Sequence, residues 1–554
     1  MLSRYRGKTE CPSCQGTRLR KDAFYIKINQ WSIRDIVLMP ISESLKVISN
    51  FQLTNSEREI AKRLLDEIIS RLQFLNDVGL GYLTLNRASR TLSGGESQRI
   101  NLATSLGSSL VGSIYILDEP TIGLHARDTE KLIHILQRLR DAGNTVIVIE
   151  HDKDIMQHSD ILIDIGPEAG VHGGELVFQG SFDELTKAEN SLTAKYLTHQ
   201  LSIPPPVQRR KFKDYIEIIG ASLHNLKSIN VKIPLQTLTV ISGVSGSGKT
   251  SLIKGVLYPS LRKVIENAGI GTFTNIQGDL FRIQQVEIID QNPIGKSSRS
   301  NPATYVKAYD EIRNLFAEQK LAISRKFKAG YFSFNVDGGR CPECQGNGVI
   351  KVEMQFMANL YLTCESCGGS RFRDQVLDIR FQGKNIADIL HMSVQEALHF
   401  FKENSNKSKY CRKIIEKLHP LQEVGLGYIK LGQASNTLSG GEAQRIKLAA
   451  FLSKGYSAPA TLFIFDEPTT GLHFHDIQKL LTAFDALINK GHSVLVIEHN
   501  ADVIQYADWV IDLGPGSGTD GGEIVFEGTP DDLIKNKASI TGKYIRSANK
   551  SQNT

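Results

Sequence analysis

The chain repeats itself, and that repeat limits what it can fold into more than any other feature. TLSGGESQRI at 91–100 returns as TLSGGEAQRI at 437–446, and ILDEPTIGLHARD at 116–128 returns as IFDEPTTGLHFHD at 464–476. TVIVIEHDKDIM at 145–156 returns as SVLVIEHNADVI at 493–504, and IDIGPEAGVHGGELVFQG at 163–180 as IDLGPGSGTDGGEIVFEG at 511–528. The first block is offset by 346 positions and the others by 348, so one small loop change separates the copies. A repeat of this period means two homologous domains rather than a solenoid, whose units run to about 20–50 residues.

Each copy has readable local structure. The runs 113–117 and 461–465 are short, apolar and rich in β-formers, and both end in Asp-Glu-Pro. They predict buried parallel strands, which tend to be continuously hydrophobic. Thr145–Ile149 and Ser493–Ile497 predict a second strand in each copy, with amphipathic helices such as Asp128–Ala142 between. Alternating strands and helices argue for an α/β class with parallel sheets. A length of 554 residues allows three to five folding units at roughly 100–200 residues each. Residues 201–214 (LSIPPPVQRRKFKD) read as a linker, and Arg209, Arg210, Lys211 and Lys213 as its solvated charges rather than nucleic-acid contacts.

The second copy carries a phosphate loop. Gly243-Val-Ser-Gly-Ser-Gly-Lys249-Thr250 fits G-x-x-x-x-G-K-[ST], after the strand-like Leu238–Ser242 and before a helical Ser251–Val256. Gly243, Ser245, Gly246 and Gly248 let backbone N–H groups curl around phosphates, and the helix start at Ser251 adds a favourable dipole. Lys249 is placed to reach the β- and γ-phosphates, and Thr250 to ligate Mg²⁺. Asp466, at a strand end, is the expected Mg²⁺ carboxylate, and Glu467 the residue acting on the attacking water. His499 ends the next strand and recurs as His151, which favours a role at the γ-phosphate over a merely structural histidine.

Six of the seven cysteines lie in CxxC pairs, the pattern of metal ligands in a reducing compartment. Cys341-x2-Cys344-x19-Cys364-x2-Cys367 has ribbon-like spacing, so four thiolates form a closed, structural Zn²⁺ site. Cys411 stands alone and reads as a buried apolar residue. Lys+Arg 65 against Asp+Glu 59 gives only +6, but residues 296–328 hold eight basic and three acidic side chains. That local +5, with Arg340, Lys351, Arg371 and Arg373 on the zinc module and Tyr331, Phe332 and Phe334 interleaved, suits a phosphate backbone. The candidate DNA contacts are Arg299, Arg325, Lys326, Lys328, Arg340 and Lys351. No run of 18 charge-free apolar residues suggests a membrane span, and the opening MLSRYRGKTECPSC lacks the apolar core of a secretory signal, so a cytoplasmic protein is expected.

Together, the phosphate loop, LSGGE-x-Q-R, DEPT and the strand-end histidine resemble the ATP-binding-cassette (ABC) ATPases. More narrowly, the chain resembles the UvrA family of DNA-repair excinuclease components. The marks are DEPTIGLH and DEPTTGLH, IDQNPIG at 289–295, RSNPATY at 299–305, FSFN at 332–335 and CPECQGNGVIKVEMQFMANLYLTCESCGGSRF at 341–372. The resemblance implies two ABC-type domains with helical signature subdomains and an inserted zinc module. It places Gln291 at the glutamine that senses Mg²⁺ and γ-phosphate. It also implies that Ser93, Gly94, Gly95 and Glu96 cap the nucleotide held by the opposing phosphate loop.

The other site, with Asp118, Glu119, His151, Ser439, Gly440 and Gly441, has no phosphate loop ahead of residue 243. Cys11 and Cys14 look like one knuckle of a zinc module and need partner ligands. The expected layout is 1–30 zinc-module remnant, 31–200 part of a first cassette and 215–545 a second cassette, with the DNA- and zinc-binding insertion at about 296–400. The reading is the C-terminal part of a UvrA-like protein that lacks the UvrB-binding region. ATP, Mg²⁺ and Zn²⁺ are the expected cofactors, damaged duplex DNA the partner and a homodimer an option. The expected activity is ATP-dependent damage recognition in nucleotide excision repair. The alternatives are a DNA-binding fragment without turnover and a paralogue in drug tolerance.

Overall fold

In the computed structural model, residues 11–551 are described apart from 15, 93, 107–110, 267–274, 296, 298, 355–358 and 454–458. The second half is built on a six-stranded sheet in the order Gln285–Ile289, Thr461–Asp466, Ser493–Ile497, Leu238–Gly243, Trp509–Gly514 and Glu523–Gly528. The first five are parallel and the last is an antiparallel edge. A three-stranded antiparallel sheet (Asn275–Gly278, Tyr215–Ala221, Ile229–Pro234) forms a second layer.

Side-chain alternation sends the strands of the central sheet into two cores. Phe463, Phe465, Val494 and Val496 join Phe316, Phe332, Phe334 and Phe484 on one face. Leu462, Ile464, Leu495 and Ile497 join Ile216, Val231, Leu252 and Leu257 on the other. With both faces covered, the strands are buried along their length, as their continuous apolar runs require.

The first half departs from that expectation. Ile114–Asp118 pairs in parallel with Thr145–Ile149, and Leu162–Gly166 pairs antiparallel with Glu175–Gly180, but the two ladders stay separate. In the second half, Leu238–Gly243 joins the corresponding strands; among the described residues of the first half no strand takes that place. One face packs Tyr115, Leu117, Val146 and Val148 onto a core with Leu132 and Leu136. The other face has no equivalent of the Tyr215–Pro234 layer, so Ile116 is 68% exposed whereas its counterpart Ile464 is 0% exposed. The expectation of a fully buried first-half strand is therefore corrected: its apolar run is real, but only alternate residues find a core.

The presumed linker is also corrected in part. Arg209 pairs with Asp531 and donates to the Gln505 carbonyl, and Arg210 bridges Asp485 and Asp508. These two cations tie the segment to the second half instead of standing in solvent. No described helix is long and apolar enough to cross a membrane.

The two halves provide a matched stability test. Ile464→Ala should cost about 2–5 kcal/mol in urea unfolding, from lost burial plus a cavity. Ile116→Ala at the equivalent strand position should cost under about 1 kcal/mol, because its side chain is already wet. Equal losses would mean that the exposed face is covered in solution.

Candidate nucleotide site and zinc centre

Strand Leu238–Gly243, buried throughout, delivers the phosphate loop to the helical segment Ser251–Leu257. Gly246 sits at φ 77°, a region that side chains enter only with strain. Lys249 is 6% exposed, and its ammonium donates to the Gly243 and Val244 carbonyls at 2.9 Å each. Burial pulls its pKa down to about 8, against the upward pull of Glu467, Asp512, Asp128 and Asp466. A buried ammonium that donates to carbonyl oxygens is suited to an anion. The Ser247 hydroxyl, also buried, has no hydrogen-bond partner among the described residues. Both features fit a polyphosphate. Thr250 is exposed, and Ser251 meets His224 at 3.2 Å.

Asp466 and Glu467 leave the neighbouring strand beside this loop. Asp466 is ion-paired with Lys254 at 2.6 Å, a contact that a divalent cation there would have to exchange. Glu467 holds a left-handed φ of 48°, and its N–H donates to the Ile497 carbonyl at 3.0 Å. A non-glycine residue there costs of order 1 kcal/mol. Burial, then the charges of Asp466 and Glu498, push the Glu467 carboxyl up to about 7. Gln291 donates to the Glu467 carbonyl at 3.3 Å and to Thr470 Oγ1 at 3.1 Å, which joins the Gln285–Ile289 strand end to the same corner. Glu498, 3% exposed, accepts from the Thr469 side chain and N–H and from the His499 and Asn500 N–H groups. The His499 Nδ1 is buried without a partner among the described residues, and desolvation, then Lys249, hold the ring's pKa well below the usual imidazole value.

The first half closes over this loop. Ser245 Oγ donates to the Gly123 carbonyl at 3.0 Å, and the His125 N–H donates to Ser245 Oγ at 3.4 Å. A Cβ at Gly123 would stand 3.1 Å from Glu467 Oε2, a tight contact, and Gly123 sits at φ 68°, where a side chain is strained. A Cβ at Gly246 would stand 3.0 Å from the Tyr82 ring, whose hydroxyl donates to Glu96 Oε1 at 2.6 Å. Helix Gly94–Leu106 starts there, with Gly95 packed so that a Cβ would meet the Ile122 carbonyl at 2.4 Å. Ser93 lies outside the described residues. Tyr82, Gly123 and Glu498 were not singled out from sequence. The signal existed, since GLGY recurs at 79–82 and 425–428.

The opposite arrangement repeats most of these contacts. Glu119 has φ 48°, and burial, then Asp118 and Glu150, raise its carboxyl to about 6. Burial lowers the pKa of His151, and Glu150 accepts from Thr121. A Cβ at Gly471 would lie 2.6 Å from Glu119 Oε1. Ser439 caps helix Gly440–Leu452, with Gly441 buried, and Tyr428 donates to Glu442 at 2.7 Å. No phosphate loop faces this set among the described residues.

The four cysteines of the insertion come together. Cys341 Sγ lies 4.0 Å from Cys364 Sγ, Cys344 Sγ lies 3.7 Å from Cys367 Sγ, and all four lie within 4.8 Å of one another. A tetrahedron with metal–sulfur bonds of about 2.3 Å has edges near ~3.8 Å, so the donor set fits one Zn²⁺. None of the four is in a disulfide. Hairpin Val349–Val352 and Leu360–Thr363 extends from the knuckles. Cys11 is exposed, and Cys14 is partly buried beside no second knuckle among the described residues. Cys411 is fully buried.

The basic candidates separate by environment. Arg325 pairs with Asp378, Arg340 with Asp337 and Lys351 with Glu353, while Arg299 donates to Asn347. Lys326 and Lys328 are exposed. Phe332 and Phe334, interleaved with the basic residues in sequence, are wholly buried and so do not stand beside them on the surface; Tyr331 is 39% exposed and stacks on Phe327.

No family model matches the chain. Curated relatives do. It is 52% identical over 541 residues to "UvrABC system protein A" of Aquifex aeolicus (strain VF5), covering 97% of this chain and 58% of that protein. It is 49% identical over 549 residues to the protein of the same name from Staphylococcus aureus (strain COL), covering 99% and 57%. The chain thus spans somewhat over half the length of these relatives. The crystal structure of UvrA2 from Deinococcus radiodurans superposes with a TM-score of 0.90 at 39% identity, covering 98% of this chain and 66% of that one.

The zinc centre is directly testable. Purified protein should carry about one Zn²⁺ per chain by elemental analysis, since four-thiolate sites contribute of order 10 kcal/mol to local folding. Cys344→Ser should lose that zinc; unchanged zinc in the variant would sink the assignment.

Proposed function

This chain belongs to the UvrA family of ABC-type ATPases, and from that premise we propose that it is an ATP-dependent DNA-binding ATPase that recognises damage in nucleotide excision repair. The observation that carries the reading is the closure of the first half's Gly123, His125 and Tyr82 over the second half's phosphate loop at Ser245 and Gly246. The loop and Lys249 hold the phosphates. Asp466 and Thr250 would hold the Mg²⁺, which would supply charge neutralisation there, and the signature at Gly94–Glu96 lies across the same cleft. Glu467, with its carboxyl near 7, takes the proton of the attacking water, and neutral His499 offers a hydrogen bond to the γ-phosphate region.

Nucleotide-dependent closure of the two halves then changes the grip on DNA. The exposed Lys326 and Lys328 supply salt-sensitive backbone contacts, and the paired arginines exchange carboxylate for phosphate. Such contacts read no base sequence, which suits lesions that share distortion. Zn²⁺ holds the insertion rigid. A homodimer and a cytoplasmic setting complete the proposal.

Lys249→Ala should abolish ATP binding in a calorimetric titration. Glu467→Gln should retain binding and lose about 100-fold or more in kcat. Because the active base is the ionised carboxylate, kcat/KM should rise with pH through about 7. A flat profile across pH 6–8 would remove Glu467 from that role. For DNA, charge reversal at Lys326 and Lys328 together should reduce the slope of log K against log salt by about two. An unchanged slope would leave that face without a nucleic-acid role.

A further inference from the structure

The first half reaches the ATP site with a side chain as well as its backbone. His125 is 2% exposed, and its ring stands edge-on to His499 at 5.9 Å and 82°, with Tyr544 on another side at 5.5 Å. The hydrogen bonds around it specify its tautomer. Thr541 Oγ1 donates to Asp512 Oδ1 at 2.8 Å, so its proton is committed and its lone pairs face His125 Nε2 at 3.2 Å. Nε2 therefore carries a proton. Nδ1 accepts the Arg127 N–H at 3.3 Å, so it does not. Asp512 also accepts from Ser242 at 2.7 Å and from Ser539 at 2.6 Å, which ties this group to the strand that delivers the phosphate loop. Desolvation, with Lys249 and Arg127 nearby, pushes the His125 pKa down to about 3, in keeping with a permanently neutral ring.

The same set occurs a second time at an offset of 348. Thr193 Oγ1 donates to Asp164 at 3.1 Å and meets His473 Nε2 at 3.3 Å. His473 stands edge-on to His151 at 6.2 Å, with Tyr196 at 5.8 Å. Each half thus presses a histidine, held by the other half's Asp–Thr pair, onto the other half's strand-end histidine. At His499 the contact has something to decide, because among the described residues the buried Nδ1 has no hydrogen-bond partner to orient the ring.

We propose that His125 is a positioning residue for ATP hydrolysis, supplied across the interface: it holds the His499 ring in its working orientation only when the two halves are docked. This rests on the ATPase reading above. The contact makes turnover, rather than nucleotide binding, depend on the fit between the halves.

The test uses the full zinc-loaded chain, with steady-state ATP hydrolysis and the Kd of a fluorescent ATP analogue measured in parallel. His125→Asn keeps a cap for the Arg127 N–H and a donor but removes the ring against His499. It should lower kcat about tenfold or more with Kd within about threefold, since a misplaced group costs rate rather than affinity. His473→Asn makes the same change at the arrangement without a described phosphate loop and should leave kcat within about threefold of wild type. Thr541→Val, which removes the acceptor for Nε2–H without touching either histidine, should lower kcat in the same direction as His125→Asn and serves if that variant does not fold. Wild-type kcat in His125→Asn or in Thr541→Val, or equal losses at His125 and His473, overturns the inference and leaves the ATPase reading standing. A wild-type chain that binds nucleotide without turnover overturns the ATPase reading and this inference with it.

Discussion

The hydrogen bond from Ser245 to the Gly123 carbonyl is the contact around which the rest is arranged. It joins the phosphate loop of one half to the turn after the Asp-Glu-Pro strand of the other. Other contacts between the halves cluster around it. Gly123 presses on Glu467, and His125, two residues on, presses on His499. Tyr82 leans on Gly246 from the same side and carries the signature helix with it through Glu96. A site assembled this way exists only while the halves are docked.

The carboxylates show how the fold sets chemistry. Glu467 and Glu119 share a left-handed backbone, a neighbouring carboxylate that accepts from a threonine (Glu498 and Glu150) and a glycine from the opposite half. Both carboxyls are raised by desolvation first and like charge second. They differ in what stands beside them: Lys249 faces Glu467, whereas no phosphate-loop lysine faces Glu119 among the described residues. The same backbone geometry therefore faces a phosphate-loop lysine on one side and, among the described residues, none on the other.

The asymmetry of the sheets follows from one strand. Leu238–Gly243 bonds to a neighbour on each side and carries the phosphate loop at its end. It merges two ladders into one sheet, and the layer of Tyr215–Pro234 then covers the face beneath. Without a counterpart among the described residues, the first half keeps its ladders apart and leaves Ile114, Ile116, Ile147 and Ile149 more than 40% exposed.

Much of this was legible in the sequence, because short-range chemistry writes itself into spacing. The repeat, the phosphate loop, the Asp466–Glu467 pair and the four-cysteine knuckles depend on residues within a few positions of one another, or on identities that recur at a constant offset. The structure puts them together at the expected element ends. Burial was less legible: 113–117 reads as apolar as 461–465, yet only a covering layer from elsewhere in the chain decides which of them becomes core. Charge had the same difficulty. Arg209, Arg210, Arg325 and Arg340 look free in sequence, and partners from 3 to 322 positions away neutralise them. What the sequence by itself determined was the inventory of reactive groups and the strands that present them, since those are local. What only the tertiary structure decided was which half completes which site, since Tyr82, Gly123 and His125 reach the phosphate loop and its carboxylate across 120 positions or more, and no local pattern encodes that distance.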